Sequence, residues 1–520
     1  MMFTSASTLL QPVLPSVCSF RCLRRVVSTT YQDAVHSLNQ MQTPSNVLKK
    51  IAESGGRDYA LQFNKSVQYT QLADLQEEDL NSLNVLHISG TKGKGSTGAL
   101  CESVLRHCGL KTGFFSSPHL MEVRERIRIN GNPLSKDKFA TYFYHCFGVL
   151  DAKKDLMDGE LPGYFRFLTI MAYYTFLEEK VDVAIMEVGL GGEYDPTNVI
   201  RWPVVCGVTS LDYDHVEQLG QTLGEIAWHK AGIFKPGRPA YTVLQEQEAM
   251  QVICKRACLN RVCSVSTVPQ WDQYHTMEID IPGSHQKANT SLALQLCRRW
   301  LIEMGQWSCD EQLVTNSNTK PSNGISLFTN MPAAFKNGVE RCKWPGRQQV
   351  IHRDHVTYYL DGAHTSKSAA ACSDWFKSVA SEETANLKNR VMKMLLFNMT
   401  GSRDVKMIMN NLKDCGFDHA IFCPNIINTD PASNTQQDTT NRTITTKQQL
   451  ERCHYNQQCW KTIHPTSQTI SLRSVSDAVN QINEMTIEGT NHVQVLVCGS
   501  LHLVGAVMTS LDITNDHIYS

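Results

Sequence analysis

From about residue 81 the chain alternates two kinds of apolar pattern. Short runs rich in β-branched residues, VLHIS (85–89), TGFFS (112–116), VDVAIMEVG (181–189) and VVCGVTS (204–210), read as strands. Longer stretches between them, such as 97–108 and 165–179, read as helices. Strands and helices in alternation predict a largely parallel sheet. A polar stretch, SCDEQLVTNSNTKPSNG (308–324), interrupts the pattern, and the domain linker is expected at or just after it. A second alternating region follows, with VTYYLDG (356–362), VMKMLLFN (391–398), HAIFCPN (419–425) and VQVLVCGS (493–500). The predicted fold is α/β: an N-terminal domain (31–330) with a parallel central sheet and a smaller, doubly wound, Rossmann-like C-terminal domain (331–520). Residues 426–470 are crowded with Asn, Thr and Gln, and are expected to be a mobile surface insertion with no catalytic role.

Composition narrows the function. With 520 residues, 42% of them apolar, two domains with sizeable cores are expected, and no run is apolar enough to span a bilayer. Basic and acidic residues balance, 49 against 50, which removes the electrostatic case for a general nucleic-acid binder. The 18 cysteines include no C-x-x-C pair, and Cys254 with Cys258, or Cys453 with Cys459, lack the flanking histidines of a zinc site. They read as reduced thiols. The first 32 residues contain no acid but carry Arg21, Arg24 and Arg25, the composition of a mitochondrial presequence, placed at 1–30. A start at Met41 would give a second, cytoplasmic form beside the matrix one.

The chemistry begins at HISGTKGKGSTGALCESVL (87–105). It departs from the common phosphate loop G-x-x-x-x-G-K-[ST], because Gly95 follows Lys94 and the hydroxyl comes one residue later, at Ser96. The strand–turn–helix context is nevertheless that of an anion site of the P-loop ATPase kind. Backbone amides and the helix dipole favour phosphate, Lys94 adds a full charge, and Gly90, Gly93 and Gly95 let the backbone approach. Ser96 can bind Mg²⁺ or cap the helix. In EVGLGGEYDPTNV (187–199), Glu187 ends an apolar strand, where open α/β sheets place ligands, and is a hard oxygen donor suited to Mg²⁺.

Further motifs follow in order: LDYDHVEQLGQTLGEIAWHKAGIFKPG (211–237), HQKAN (285–289), WPGR (344–347) and DGAHTSKSA (361–369). In order and spacing they resemble the Mur ligase superfamily, and within it the folylpolyglutamate synthases of animals. FFSSPHLMEVRERIRING, PGYFRFLT, WPGRQQV, YLDGAHT, LLFNMTGSRD and VLVCGSLHLVG extend the resemblance over nearly everything from Tyr31 onward, apart from the linker and the insertion.

The resemblance implies a ligase. ATP phosphorylates the terminal γ-carboxylate of a tetrahydrofolate, and the amine of L-glutamate attacks the acyl phosphate to form a γ-linked amide. Gly93, Lys94, Gly95 and Ser96 would hold the triphosphate. Ser117 and Glu187 would join a Mg²⁺ site, with His215 on a second metal position and a monovalent cation such as K⁺ in support. Lys230 matches the lysine the superfamily often carbamylates. Asn289 would contact adenine, Arg347 would reach back to the phosphates, and Asp361 would bond the ribose. His364 and Ser500 would lie near the glutamate, faced by Arg126. The implied partners are small molecules, with no nucleic acid, and the chain acts as a monomer.

Plainer roles stand beside these: Ser117 as a turn residue before Pro118, His215 as a loop histidine beside Asp212 and Asp214, and Lys230 as a surface lysine. Arg347 could pair with a carboxylate, and Ser500 could cap a strand end. Lys92 stands where the family loop more often has Asn. The rivals are a dihydrofolate synthase, which adds the first glutamate to a pteroate, and a nucleotide-dependent regulatory switch, which leaves Arg347, Asp361 and His364 unexplained.

Overall fold

The computed structural model describes residues 30–42, 57–273, 284–307, 331–387, 391–399, 404–429, 445–487 and 492–519. The presequence expected at 1–30 (save Thr30) and the linker stretch 308–324 lie outside them.

The strands are β1 (Leu86–Ser89), β2 (Thr112–Phe115), β3 (Ile127–Ile129), β4 (Asn132–Pro133), β5 (Val183–Glu187), β6 (Val205–Val208) and β7 (Pro239–Thr242). There follow β8 (Ser264–Thr267), β9 (Gln349–Arg353), β10 (Val356–Leu360), β11 (Val391–Phe397), β12 (His419–Phe422), β13 (Gln468–Ser471) and β14 (His492–Cys498). Among the described residues they form an eight-stranded sheet, β4-β3-β2-β5-β1-β6-β7-β8, and a six-stranded sheet, β13-β12-β11-β14-β10-β9. Pairing is parallel except at β3, β4 and β9. Every residue of β1, β5, β6, β10 and most of β14 is buried. Strands covered on both faces must be apolar throughout, and this is why they are visible as unbroken runs.

The register places the chemistry. β1 lies between β5 and β6, with Ile88 opposite both Glu187 and Gly207. The loop leaving β1 therefore opens between Glu187 on one side and the segment after β6 on the other, at the carboxyl ends of the strands. In the second sheet Leu360 of β10 pairs with Val497 of β14, so Asp361 and Ser500 leave neighbouring strand ends.

Two stretches differ from expectation. Helix Ala333–Glu340 packs on helix Lys94–His107, with Phe335 and Val339 in the core beside Val104, so the change from one sheet's packing to the other's comes after Glu340. The supposed mobile insertion at 426–470 contains helix Thr446–Ile463, whose Cys453, Cys459 and Trp460 are buried against the second sheet, followed by edge strand β13. A few apolar side chains at helical spacing anchor it, with Asn456 buried among them, and most of the remaining polar residues face water. Residues 430–444 of that stretch lie outside the described ones.

The two halves interlock. Leu120 and Met121, on the loop after β2, are buried in the second sheet's core with Leu503 and Val504. A Cβ on Gly505 would fall 1.7 Å from the Leu120 carbonyl oxygen.

Candidate functional site

The phosphate loop runs from β1 into helix Lys94–His107, whose N-cap, Gly93, has φ +89°. That left-handed backbone favours glycine, and a Cβ there would meet Asn289 Oδ1 at 2.1 Å. Asn289, buried on helix Ser284–Glu303 and held by Gln286, thus abuts the loop directly. The amides of Thr91 and Lys92 are tied to the Ser210 carbonyl. Lys94 opens the helix and Ser96 is buried in its first turn.

Glu187 is buried at the end of β5 and accepts a hydrogen bond from the Ser117 amide (3.0 Å). Burial pushes its pKa up, while Lys94, that amide, Arg347 and Arg126 pull it down. The carboxylate is therefore ringed by cations from three separate segments, one of them in the second domain. Oxygen donors on Glu187, Ser117 and Ser96 suit a hard divalent cation beside phosphate. His215 is different: its backbone is left-handed, its side chain is half exposed, and its ring faces Asp214 (4.0 Å). Among the described residues no group of three or more His, Cys, Asp or Glu is arranged to hold a metal.

Lys230 is no surface lysine. It ends helix Leu223–Lys230, is 4% exposed, and donates to the Gly90 carbonyl (2.7 Å). Desolvation drives its pKa well below the usual lysine value, with Lys94 and Lys92 adding to the effect. An amine in that state is held toward its neutral form.

On the second domain's side, Asp361 is buried and accepts from the Gln348 and Ala363 amides (3.0 and 2.8 Å). Burial raises its pKa and Arg347 opposes the shift. Among the described residues no ion pair holds Arg347, which lies in reach of both Asp361 and Glu187. A Cβ on Gly362 would lie 2.3 Å from its Nη1. Ser500 precedes helix Leu501–Ser510 without capping it through its side chain, which accepts from Asn425 (3.3 Å).

His364 comes to the phosphate loop itself. Its Nδ1 faces the Gly362 carbonyl (2.7 Å), so Nδ1 carries hydrogen and Nε2 accepts from the Lys92 ammonium (2.9 Å). Lys92 also pairs with Asp214 (3.2 Å). Lys92 is thus a bridge between the domains. Its position within the loop was the signal; its partner, 272 residues away in sequence, was not legible. Arg126 stands further along, donating to His119 Nδ1 (2.9 Å) and lying over the Tyr164 ring. It lines a cavity of about 400 Å³ with Ser117, Phe165, Tyr194 and His229. Lys94, Ser117, Glu187, Lys230, Asn289, Arg347 and His364 are brought together; Arg126 lies at the edge of this group.

No family model matched the sequence. The mitochondrial folylpolyglutamate synthase of Bos taurus is 44% identical over 439 residues, 84% of this chain and 74% of its own. The chain belongs to the folylpolyglutamate synthases. A putative folylpolyglutamate synthase of Caenorhabditis elegans is 40% identical over 491 residues, 92% of each chain. The Saccharomyces cerevisiae (strain FostersO) enzyme is 35% identical over 505 residues, 94% of this chain and 88% of its own. Among solved structures, Mycobacterium tuberculosis folylpolyglutamate synthase complexed with ADP aligns with TM-score 0.67 at 20% identity, covering 92% of this chain and 98% of that one. An FPGS–AMPPCP–folate complex aligns with TM-score 0.64 at 19% identity, covering 93% and 99%. These likenesses establish the two-domain α/β fold.

Proposed function

We propose that the chain is an ATP-dependent ligase that adds L-glutamate in γ-linkage to tetrahydrofolate and its glutamylated forms through an acyl phosphate. What carries the reading is one convergence, in a chain of this family: Lys94, Glu187 and Arg347 meet around a glycine-lined anion loop from both sides of a domain seam.

The reaction has to gather three anions, triphosphate, folate carboxylate and glutamate, in one place. Lys94 and the loop amides suit the β- and γ-phosphates, Arg347 the charge that builds up as the γ-phosphoryl group moves, and Asn289 and Asp361 the nucleoside. The folate carboxylate attacks the γ-phosphorus, and ADP leaves. The glutamate amine then displaces phosphate from the anhydride. His364, Ser500 and Arg126 are assigned to the incoming amino acid. The cavity beside Arg126, walled by Phe165 and Tyr194, suits the flat aromatic rings of a folate.

Ser96, Ser117 and Glu187 would hold Mg²⁺, with His215 at a second position and a monovalent cation such as K⁺ nearby. Bound there, Mg²⁺ supplies charge compensation for the phosphates. Lys230, kept toward its neutral amine, is in the form that takes up CO₂, and as a carbamate would turn a repelling cation into an anionic ligand. A mitochondrial form accords with the acid-free leader and with the mitochondrial naming of the bovine relative; a cytoplasmic form from Met41 and a monomeric state complete the proposal.

The test is incubation with ATP, Mg²⁺, tetrahydrofolate and labelled glutamate, followed by mass analysis of the pteridine. Glutamylated tetrahydrofolate with matching ADP release is expected. Product from dihydropteroate alone would make the chain a dihydrofolate synthase, and ATP hydrolysis indifferent to folate and glutamate would make it a switch.

A further inference from the structure

Arg128, on β3, is 5% exposed, and among the described residues no ion pair holds it. A buried guanidinium without a carboxylate must be compensated otherwise. Here aromatic faces do so. Its Cζ lies 4.8 Å from the Trp344 ring centroid and 4.7 Å from that of Tyr519, with Phe114 at 5.9 Å. Its Nε donates to the Glu125 carbonyl (3.0 Å) and its Nη2 to the Tyr519 hydroxyl (2.6 Å). Tyr519 belongs to helix Asn515–Tyr519, which follows the second sheet's helix Leu501–Ser510 and is also tied to the first domain by Asn515 Nδ2 on Glu122 (2.6 Å).

The stack has a further member. A Cβ on Gly95 would fall 2.6 Å from Trp344 Cζ2, so the indole edge rests against the phosphate loop. Trp344 is also three residues from Arg347. A chain of contacts thus runs Tyr519, Arg128, Trp344, Gly95, crossing from the second domain into the nucleotide loop. Without the Tyr519 ring, one face of the guanidinium would open to water, and the flat cation that supports the indole would lose its seat.

We propose that Arg128 and Tyr519 are positioning residues for the nucleotide: they hold Trp344 against Gly95 and thereby set the Arg347 segment over the phosphate loop. The proposal rests on the nucleotide-binding role assigned to that loop. Neither residue touches the substrate; both act through Trp344.

The experiment compares wild type with Tyr519→Ala, Tyr519→Phe and Arg128→Lys in the full chain. AMPPCP affinity is measured by calorimetry, KM for ATP and for tetrahydrofolate by steady-state kinetics, and ligand-free thermal unfolding alongside. Tyr519→Ala should weaken AMPPCP binding and raise KM for ATP by about tenfold, the scale of one desolvated cation–π contact. KM for tetrahydrofolate should stay near wild type. Tyr519→Phe keeps the ring and should retain most of the affinity. Arg128→Lys keeps the charge without the flat face, and should show the same selective loss of nucleotide affinity, which keeps the test open should Tyr519→Ala fail to fold. Wild-type nucleotide affinity in Tyr519→Ala or Arg128→Lys would overturn the proposal. So would equal losses for ATP and tetrahydrofolate that track a fall in melting temperature. A wild-type chain that binds no AMPPCP at all would instead overturn the nucleotide-loop assignment beneath it.

Discussion

Glu187 shows how much a single position can be made to hold. The sequence singles it out as a hard oxygen donor at the carboxyl end of an apolar strand, where open α/β sheets place ligands; the structure adds that burial raises its pKa against the pull of Lys94 and Arg347. A carboxyl whose folded pKa lies above its unfolded value favours folding while protonated, and loses that advantage as pH rises through the folded value. Once ionised, the buried carboxylate costs the ligand-free protein stability. Glu187→Gln should therefore melt a few degrees higher than wild type at pH 8, with the gap closing toward pH 4. Its turnover should fall by roughly two or more orders of magnitude, the loss expected for a group that organises transition-state charge. Calorimetric scans across pH, with ATP-dependent glutamate incorporation on the same samples, check both halves. Lys94 and Ser96 were legible for another reason: they are polar residues at a strand-to-helix turn rich in glycine. The partners of Lys92 and Trp344 were not, because the atoms they touch belong to segments remote in sequence.

At the scale of elements, most strands buried on both faces announced themselves, although β7, buried throughout, did not, and neither did those at the sheet edges. β9 and β13 alternate partly exposed with exposed residues, and β3 and β4 are two or three residues long, too short to carry a pattern. Helix Thr446–Ile463 was hidden by its polar majority, although a capping box joins Thr445 to Gln448 at its start. Helix Ala333–Glu340 lies beyond the expected linker, yet it packs on helix Lys94–His107 of the first sheet. Its Gly338 is the point of closest approach: a Cβ there would lie 2.5 Å from Val104 Cα, a backbone atom that cannot swing aside. Alanine has the better helix propensity by about 1 kcal/mol. Overpacking against a main chain costs about 1–3 kcal/mol and should win. Gly338→Ala is expected to be destabilised in denaturant titrations; a variant as stable as wild type would show that parting the two helices costs no more than the propensity alanine gains, about 1 kcal/mol.

For the whole molecule, the question is how two domains make one site. Arg347 follows the helix that packs with the first sheet, leads into β9 of the second, and acts on carboxylates of both, Glu187 and Asp361. With no ion pair to hold it among the described residues, it should matter for transfer and little for folding. Arg347→Ala should lose about two orders of magnitude in turnover while its ligand-free melting temperature stays within a degree or two of wild type. Strong destabilisation with turnover retained would recast it as a structural residue. The sequence alone determined the α/β class, the central strands, the phosphate loop and the family, because each rests on local pattern or on motifs in fixed order. It could not determine that Lys92 meets His364, that Arg128 lies between Trp344 and Tyr519, or that Leu120 is buried in the other domain's core. Those contacts join segments hundreds of residues apart. Which residues meet across such distances is decided by strand order and domain seating, and neither leaves a periodic trace in the chain.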